Sequence, residues 1–199
     1  NLGAILIDLG KLKDAEISTR KAIELNPNFA DAHKSLGSIL YDSCKLKEAE
    51  ISTRKAIELN PDLTDAVFLL SFIQMMQDDY ISGLKNYESR LERKKVKLHV
   101  QPKIPRWLGE TAKKGEKLLI ISEQGLGDSI HFMRYIPCLR EKGYEVIFCA
   151  QEHLHPIIKE SGIESNLLTT QQANQVLDGK YCPLLSLPLH LGVNQNNPI

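Results

Sequence analysis

Apolar residues follow a helical spacing in the first half of the chain and form short continuous runs in the second half. Residues 2–27 align without gaps with residues 36–61 at an offset of 34, and 21 of the 26 aligned positions are identical. Within each copy the apolar residues recur every three or four positions, which is typical of amphipathic helices. A fixed period of 34 residues with a helix–turn–helix rhythm indicates an array of helical repeats.

Small and large residues hold fixed places in the two copies. These places are Leu36, Gly37, Leu40, Ala49, Ala56 and Pro61, with the equivalents Leu2, Gly3, Leu6, Ala15, Ala22 and Pro27 one repeat earlier. Gly37 and Ala49 are small where two helices must approach closely, and Pro61 ends a helix because proline disfavours helical geometry in the residue before it. The pattern resembles the tetratricopeptide (TPR) repeat, whose arrays present a concave groove to peptides or partner proteins.

A third, degraded unit is predicted from Thr64 to Lys95. Leu70 and Gly83 keep the register of the repeat, whereas Ser71 and Gln74 depart from it. The end of this unit is strongly charged, with Glu88, Arg90, Glu92, Arg93, Lys94 and Lys95. Two interpretations of residues 90–97 stay open: a solvated capping helix, which is expected where a solenoid stops, and a basic docking patch.

The second half alternates short apolar runs with helical segments. Strands are predicted at 118–121, 146–149 and 167–168, and a fourth begins at Tyr181. The predicted helices cover residues 128–142, residues 152–161 with an interruption near Pro156, and a short stretch that Ser186 caps with Pro188 in its first turn. Strands that alternate with helices of this length imply a parallel sheet with right-handed crossovers.

The expected fold is therefore a helical TPR solenoid followed by a Rossmann-like α/β half-domain with a parallel sheet. The predicted boundaries are 1–95 for about three repeats (the first incomplete), 96–116 for a connector, and 117–199 for the α/β part. Trp107 lies in the connector, where it either packs the connector onto the α/β part or forms a stacking platform for a sugar. A sheet of three or four strands leaves an exposed edge, which proteins avoid, so we expect further strands beyond Ile199.

Composition narrows the possible functions. The chain has 25 basic and 25 acidic residues, which gives no reason to expect nucleic acid or an anionic membrane as a partner. No apolar run approaches the roughly 20 residues of a membrane helix, and neither dinucleotide nor P-loop fingerprints occur. His153 and His155 lack companion ligands for a metal. The four cysteines form no CxxC pair; reduced, buried thiols of a cytosolic protein are expected, with a disulfide or metal site as the alternative.

A glycine-punctuated loop, residues 123–127, follows the first predicted strand. Gly125 and Gly127 allow the backbone to turn sharply and a ligand to approach the main chain, and the N–H groups of a first helical turn can bind an anion. Asp128 stands where the loop becomes a helix, and two interpretations of it stay open. Its carboxylate either caps the helix or faces a cleft and acts as a general base toward a substrate hydroxyl.

Four polar residues around this loop are candidates for substrate binding. His131 and Arg134 follow Asp128 at steps of three and share its helical face; Arg134 could pair with a phosphate, and His131 could orient Asp128 or touch an acceptor. Glu123 and Gln124 could contact sugar hydroxyls. The alternative for all four is the ordinary polarity of an exposed helix or loop.

Three segments of the second half carry a second resemblance: PRWLGE, KLLIISEQGLGDSIHFMRYIPCL and PLLSLPLHLG, in this order. They resemble glycosyltransferases of the two-Rossmann (GT-B) type, and TPR repeats before such a domain, a combination found in many bacterial proteins, resemble the organisation of the O-linked N-acetylglucosamine transferases. The GLGD segment also resembles the first loop of the heptosyltransferases. This resemblance implies that Asp128 is the catalytic base, and that Gly125 and Gly127 form the loop.

The same resemblance implies an acceptor-binding half-domain and a nucleotide sugar as substrate, with no metal or other cofactor. The donor-binding half is absent from these residues, so the chain is expected to be inactive by itself. The repeats would bind a protein partner or the acceptor. A second function stays open, that of a non-catalytic TPR interaction scaffold with a remnant α/β domain.

Overall fold

The computed structural model describes residues 11–93, 98–111, 113, 115–123, 125–164 and 166–198. The chain divides into two compact units, Asn1–Val96 and Lys97–Ile199. No helix within these described stretches combines the length and apolarity needed to cross a bilayer.

The described part of the first unit is helical. Its helices are α1 (Leu12–Leu25), α2 (Ala30–Asp42), α3 (Leu46–Leu59), α4 (Thr64–Met76) and α5 (Tyr80–Tyr87), followed by a 3-10 turn, Glu88–Glu92. Each helix packs mainly on the helices next to it in the chain, with α2 on α3 and α4 on α5. This is the helical repeat array that the 34-residue period predicts.

Small residues set the distance between paired helices. A Cβ atom on Gly37 would lie 2.2 Å from Thr53 Oγ1 and 3.3 Å from the carbonyl oxygen of Ala49. A Cβ atom on Gly83 would lie 2.6 Å from Met75 Cγ. Helices α2 and α3, like α4 and α5, therefore approach as closely as they do only because these positions carry no side chain.

The turns inside the second and third repeats share one backbone geometry. Cys44 and Asp78, which are 34 residues apart, both have positive φ, 57° and 66°. The N–H of Lys45 donates to Leu40 O at 2.8 Å, and the N–H of Asp79 donates to Gln74 O at 2.9 Å. Both turns thus end a helix with a left-handed residue, a conformation that favours glycine.

The end of the third repeat differs from the sequence-based expectation of a solvated face. Arg90 is buried; its guanidinium lies 4.6 Å from the Tyr87 ring centre, and Nη1 donates to Glu88 Oε1 at 2.7 Å. Arg93 donates to Asp65 Oδ1 at 2.6 Å. A solvated or docking role is therefore wrong for Arg90, because its aromatic and carboxylate partners hold it inside; residues 94–97 lie outside the described residues.

The two polar departures in α4 are also accommodated inside the third repeat. Gln74 is buried and accepts a hydrogen bond from Asn86 Nδ2 at 2.7 Å. Ser71 is buried and donates from its hydroxyl to Phe68 O at 2.6 Å. Because both polar groups are paired, α4 and α5 of the degraded repeat still pack against each other.

The second unit contains a parallel four-stranded sheet in the order β3-β2-β1-β4. The strands are β1 (Lys117–Ile121), β2 (Glu145–Cys149), β3 (Leu167–Leu168) and β4 (Lys180–Pro183). The helices are α6 (Leu126–Phe132), α7 (Ile136–Glu141), α8 (His155–Glu160), α9 (Thr170–Ala173) and α10 (Leu187–Leu191), with 3-10 turns at Met133–Tyr135, Glu152–Leu154 and Leu184–Ser186. The predicted α/β class is confirmed, and the apolar run of β1 is buried at the centre of the sheet.

Two predicted helices of this unit need correction. The stretch 128–142 is not one helix, because α6 begins two residues earlier and a 3-10 turn separates it from α7, where Pro137 cannot donate a backbone hydrogen bond. Ser186 does precede α10, but its side chain makes no capping hydrogen bond among the described residues.

The outer edge of β4 is covered by the connector. The N–H of Trp107 donates to Tyr181 O at 2.8 Å, and the N–H of Tyr181 donates to Pro105 O at 3.0 Å. The expectation of an open sheet edge is therefore wrong at β4. The connector reaches this edge because an extended X-Pro segment can pair like a short strand.

Trp107 anchors the connector inside the second unit. Its side chain is 2% exposed, and Nε1 donates to Tyr144 Oη at 2.9 Å and to Glu110 O at 3.0 Å. The rings of Tyr144 and His190 pack edge-on against it at 5.5 and 5.2 Å. The packing interpretation is confirmed, and the sugar-stacking alternative is wrong because the ring has no accessible face.

Candidate functional site

The glycine loop lies at the carboxyl end of β1. From β1 the chain continues to β2 on one side, whereas β4 returns on the other side, so the strand order reverses at β1. In open α/β sheets, ligands bind in the crevice outside the carboxyl ends of the strands at such a reversal. The topology therefore indicates that a ligand site would lie at the ends of β1 and β4 and at the residues that follow them.

Asp128 lies in the first turn of α6, and not at its N-cap. The N-cap is Gly125, and Asp128 is the third residue of the helix. The capping interpretation of Asp128 is therefore wrong, because the helix begins at Leu126. The Asp128 carboxylate is exposed and has no hydrogen-bond partner among the residues that the structure describes.

The carboxylate of Asp128 folds back over the loop. A Cβ atom on Gly125 would lie 2.2 Å from Asp128 Oδ2 and 2.9 Å from Cγ. The φ of Gly125 is −79°, which any residue adopts, and the Asp128 carboxylate occupies the space where a side chain at Gly125 would stand. Around Gly127 a Cβ atom would meet nothing within 4 Å, which leaves the outer side of the loop open.

A hydrogen-bond network holds the loop from two neighbouring strands. Glu123 is buried, and its Oε1 accepts from the N–H of Leu185 at 3.2 Å, which joins the end of β1 to the turn after β4. Gln151, which follows β2, donates from Nε2 to Glu123 O. The hydroxyl of Ser129 lies 2.9 Å from both Gln151 Oε1 and Gly125 O. The turn that carries Asp128 is thus fixed at both ends.

The other described residues of the predicted binding set, His131 and Arg134, have separate local partners. His131 and Arg134 are both exposed, but Arg134 lies in the 3-10 turn after α6. Arg134 Nη2 donates to Tyr135 Oη at 3.0 Å, and His131 packs edge-on against Phe132 at 5.2 Å. Gln124 lies outside the described residues.

Sequence reasoning overlooked Gln151 and Arg106. Gln151 is a polar residue directly after a predicted strand, a signal that could have found it. Arg106 lies in the connector, and its Nη2 donates to Ser186 Oγ at 3.3 Å, across 80 residues. Nothing in the local pattern indicates that the connector brings an arginine to the turn after β4.

All four cysteines are free thiols, but the expected burial holds only for Cys149 and Cys182, because Cys44 is exposed and Cys138 is half-buried. Burial, with Glu152 nearby, raises the pKa of the Cys149 thiol to about 11, so the thiol stays protonated and is a poor nucleophile even though His99 Nε2 lies 3.8 Å away. Among the residues that the structure describes, no three His, Cys, Asp or Glu side chains are grouped as metal ligands would be.

The repeats carry two grooves whose linings share part of their repeat positions. The first groove, about 670 Å³, lies between α1 and α3 over α2, and its lining includes Ile23, Leu36, Ile51, Arg20, Arg54 and Lys55. The second groove, about 530 Å³, lies one repeat later, and its lining includes Val67, Lys85, Asn86, Glu88, Ser89 and Glu92. Six lining positions of the first groove recur 34 residues later in the second groove, and the side chains at these positions can be compared directly.

In the comparison with known protein families, the model described as tetratricopeptide repeat matches residues 1–29. The crystal structure of MamA is 27% identical over 47% of this chain and 54% of its own, with a TM-score of 0.44. YrrB, described as a TPR protein with an unusual peptide-binding site, is 25% identical over 44% of this chain and 45% of its own, with a TM-score of 0.42. Comparison with curated protein sequences gave no match.

A mutant of the O-GlcNAc transferase of Thermobaculum terrenum is also similar, at 18% identity over 83% of this chain and 33% of its own, with a TM-score of 0.42. The chain thus spans about half the length of MamA and a third of that transferase. The family-model match and helices α1–α5 together indicate the class of the first unit: a helical repeat array that resembles a TPR solenoid. A small parallel α/β unit follows it in the chain.

Proposed function

We propose that the protein is a TPR-bearing glycosyltransferase. In this proposal the α/β unit supplies the acceptor side of a nucleotide-sugar transferase, and the repeats bind a protein partner or the acceptor. The donor-binding groups belong to a further domain, so these residues alone do not catalyse transfer. The four free thiols fit a cytoplasmic location.

The observation that carries the proposal is the exposed carboxylate of Asp128 at the reversal of strand order, which has no partner among the described residues. A general base must reach the proton of the attacking hydroxyl, and an exposed carboxylate above an open glycine loop can do so. Asp128 would take this proton while the acceptor oxygen attacks the anomeric carbon and the nucleoside diphosphate leaves. Deprotonation and attack need no metal from this unit.

The surrounding residues support the same role. Gly125 leaves space for the carboxylate, and Gly127 leaves the outer side of the loop open for an acceptor. Glu123 is buried under the loop, so we assign it to holding the loop and not to contacting sugar hydroxyls. His131, Arg134 and Gln124 remain proposed contacts of the acceptor or of the departing phosphate.

The test is Asp128→Asn in the protein expressed from its whole reading frame. Release of nucleoside diphosphate from a panel of nucleotide sugars is measured, together with donor binding by calorimetry. Loss of turnover by roughly 100-fold or more, with donor affinity unchanged, is expected for loss of a general base. Glu141→Gln, an exposed acid at the end of α7, is the control and should retain activity. Turnover that survives in Asp128→Asn would sink the assignment.

The alternative function is a TPR interaction scaffold in which the α/β unit has no catalytic role. The first groove favours it, because an apolar cleft with the exposed Ile51 can bind a partner without any chemistry. Binding of a partner by the repeats together with no nucleotide-sugar turnover by the whole protein would select this function.

A further inference from the structure

We propose that the first groove binds a short segment of a partner protein in which a branched apolar side chain stands next to carboxylates. The inference rests on the proposed partner binding by the repeats, and it deepens that proposal by naming the surface and the chemistry of the partner. It does not depend on Asp128 or on catalysis.

The exposed isoleucine of the first groove is not required by the repeat fold. Ile51 is 70% exposed, and Ile17, its equivalent one repeat earlier, is 68% exposed. One repeat later the same position is Lys85, and the helix pair of that repeat still forms. Alone, such a side chain would need no explanation, but Ile51 extends the apolar lining of a cleft, and a contiguous apolar patch with a polar rim is typical of a binding surface.

The floor of the groove suits an aliphatic side chain. Leu36 is buried at the floor, and Ile23 and Ile51 flank it. His33 also lines the groove, but its Nε2 is held by Pro27 O at 2.8 Å, so its ring is a fixed wall. A leucine or isoleucine inserted here would remove apolar surface from water on three sides, at about 25 cal/mol per Å².

The charges at the rim favour an acidic neighbour for that side chain. Three cations line the first groove, Arg20, Arg54 and Lys55, against two carboxylates, Glu24 and Glu58. The cations have intramolecular partners, for example Arg54 with Glu50 at 2.7 Å, but these exposed pairs contribute only about 0–1 kcal/mol and can exchange for a ligand carboxylate.

The second groove has the opposite balance. Among the residues that the structure describes, its lining carries one cation, Lys85, and three carboxylates, Asp62, Glu88 and Glu92. The position of Arg54 is occupied by Glu88, and that of Ile51 by Lys85. A segment with apolar and acidic side chains therefore fits the first groove and is rejected by the second, which gives the array a defined binding position.

The experiment uses the 199-residue chain and three fluorescein-labelled synthetic peptides, made of leucine and glutamate, leucine and lysine, and serine and glutamate. Binding is measured by fluorescence anisotropy. The leucine–glutamate peptide should bind most tightly. Ile51→Lys and Arg54→Glu, which copy the second groove into the first, should each weaken this binding roughly tenfold or more. Ile17→Lys, equally exposed but outside the groove, should not.

Circular dichroism checks that the exposed substitutions leave the fold intact. If the leucine–lysine peptide binds as well as the leucine–glutamate peptide, or if Ile51→Lys binds normally, this groove is not the site, although partner binding by the repeats would stand. Binding of none of the peptides overturns the inference and leaves the Asp128 test untouched. A dimer that dissociates in Ile51→Lys would assign the groove to a second copy of the chain and also overturn it.

Discussion

The contacts inside the first unit and those inside the second unit span very different numbers of residues along the chain. In the repeats, the contacts join close neighbours in sequence, such as Gly37 with Thr53. In the α/β unit, the hydrogen bond from Leu185 to Glu123 spans 62 residues, and that from Arg106 to Ser186 spans 80. A local pattern can therefore specify a repeat, whereas the α/β site depends on pairings that no local pattern contains.

The largest expected effect comes from removing the long-range anchor of the α/β unit. Trp107→Ala should lower the free energy of unfolding by about 3–5 kcal/mol, because a buried aromatic side chain and its two hydrogen bonds are lost. Urea unfolding followed by far-ultraviolet circular dichroism measures the change. Leu108→Ala removes an exposed neighbour and should change stability by no more than about 0.5 kcal/mol. A cost for Trp107→Ala as small as that of Leu108→Ala would refute the anchor.

The matching test in the repeats is Gly37→Val. The added side chain would collide with Thr53 and with the backbone of Ala49, so overpacking should cost about 1–3 kcal/mol. The same urea titration reports it. Gly127→Ala adds a methyl group in open space and should be neutral or stabilising by up to about 1 kcal/mol. Equal destabilisation by both substitutions would contradict the close approach of α2 and α3.

Gln151→Leu tests whether the network holds the loop that carries Asp128. It leaves Glu123 O and the Ser129 hydroxyl without this partner, at a cost of about 1–3 kcal/mol. Hydrogen exchange of the Ser129 amide, which donates to Gly125 O at 3.0 Å, should accelerate, while exchange in the repeats should not change. Gln171→Leu, an exposed glutamine of α9, is the matched control. Unchanged exchange in the loop would show that Gln151 does not hold it.

The smallest expected effect is a gain of stability. Cys44→Gly relieves a left-handed backbone conformation, and we expect a gain of about 0.5–1 kcal/mol with a higher Tm in a thermal melt. Gly10 already stands at this position one repeat earlier. Cys44→Ala keeps the positive φ and should give no such gain. A gain with alanine as large as with glycine would assign the effect to the thiol instead of the backbone.

Elements that a local pattern specifies were predicted correctly. The 34-residue period locates the repeat helices, and β3 falls where the apolar pair Leu167 and Leu168 predicts it. The short helix α9 was not predicted, although the sequence contains the capping box of Thr169 and Gln172. That sequence signal was local and could have been used.

The site was less predictable for a physical reason. The glycine loop and Asp128 stand out locally, but the pairing of Pro105 and Trp107 with Tyr181 and the bond from Leu185 to Glu123 join segments that are far apart. The contrast between the two grooves also needed the structure, because the sequence does not tell which isoleucine of an amphipathic helix stays exposed.

The pairing of Trp107 with Tyr181 has a consequence for synthesis on the ribosome. Tyr181 follows Trp107 by 74 residues, so the connector has no strand to pair with until β4 has been made. A repeat can close as soon as its own helix pair and that of its neighbour have emerged. We therefore expect the nascent chain to carry folded repeats for a time before β4 emerges, with the unpaired edge of β1 open to chaperones during that interval.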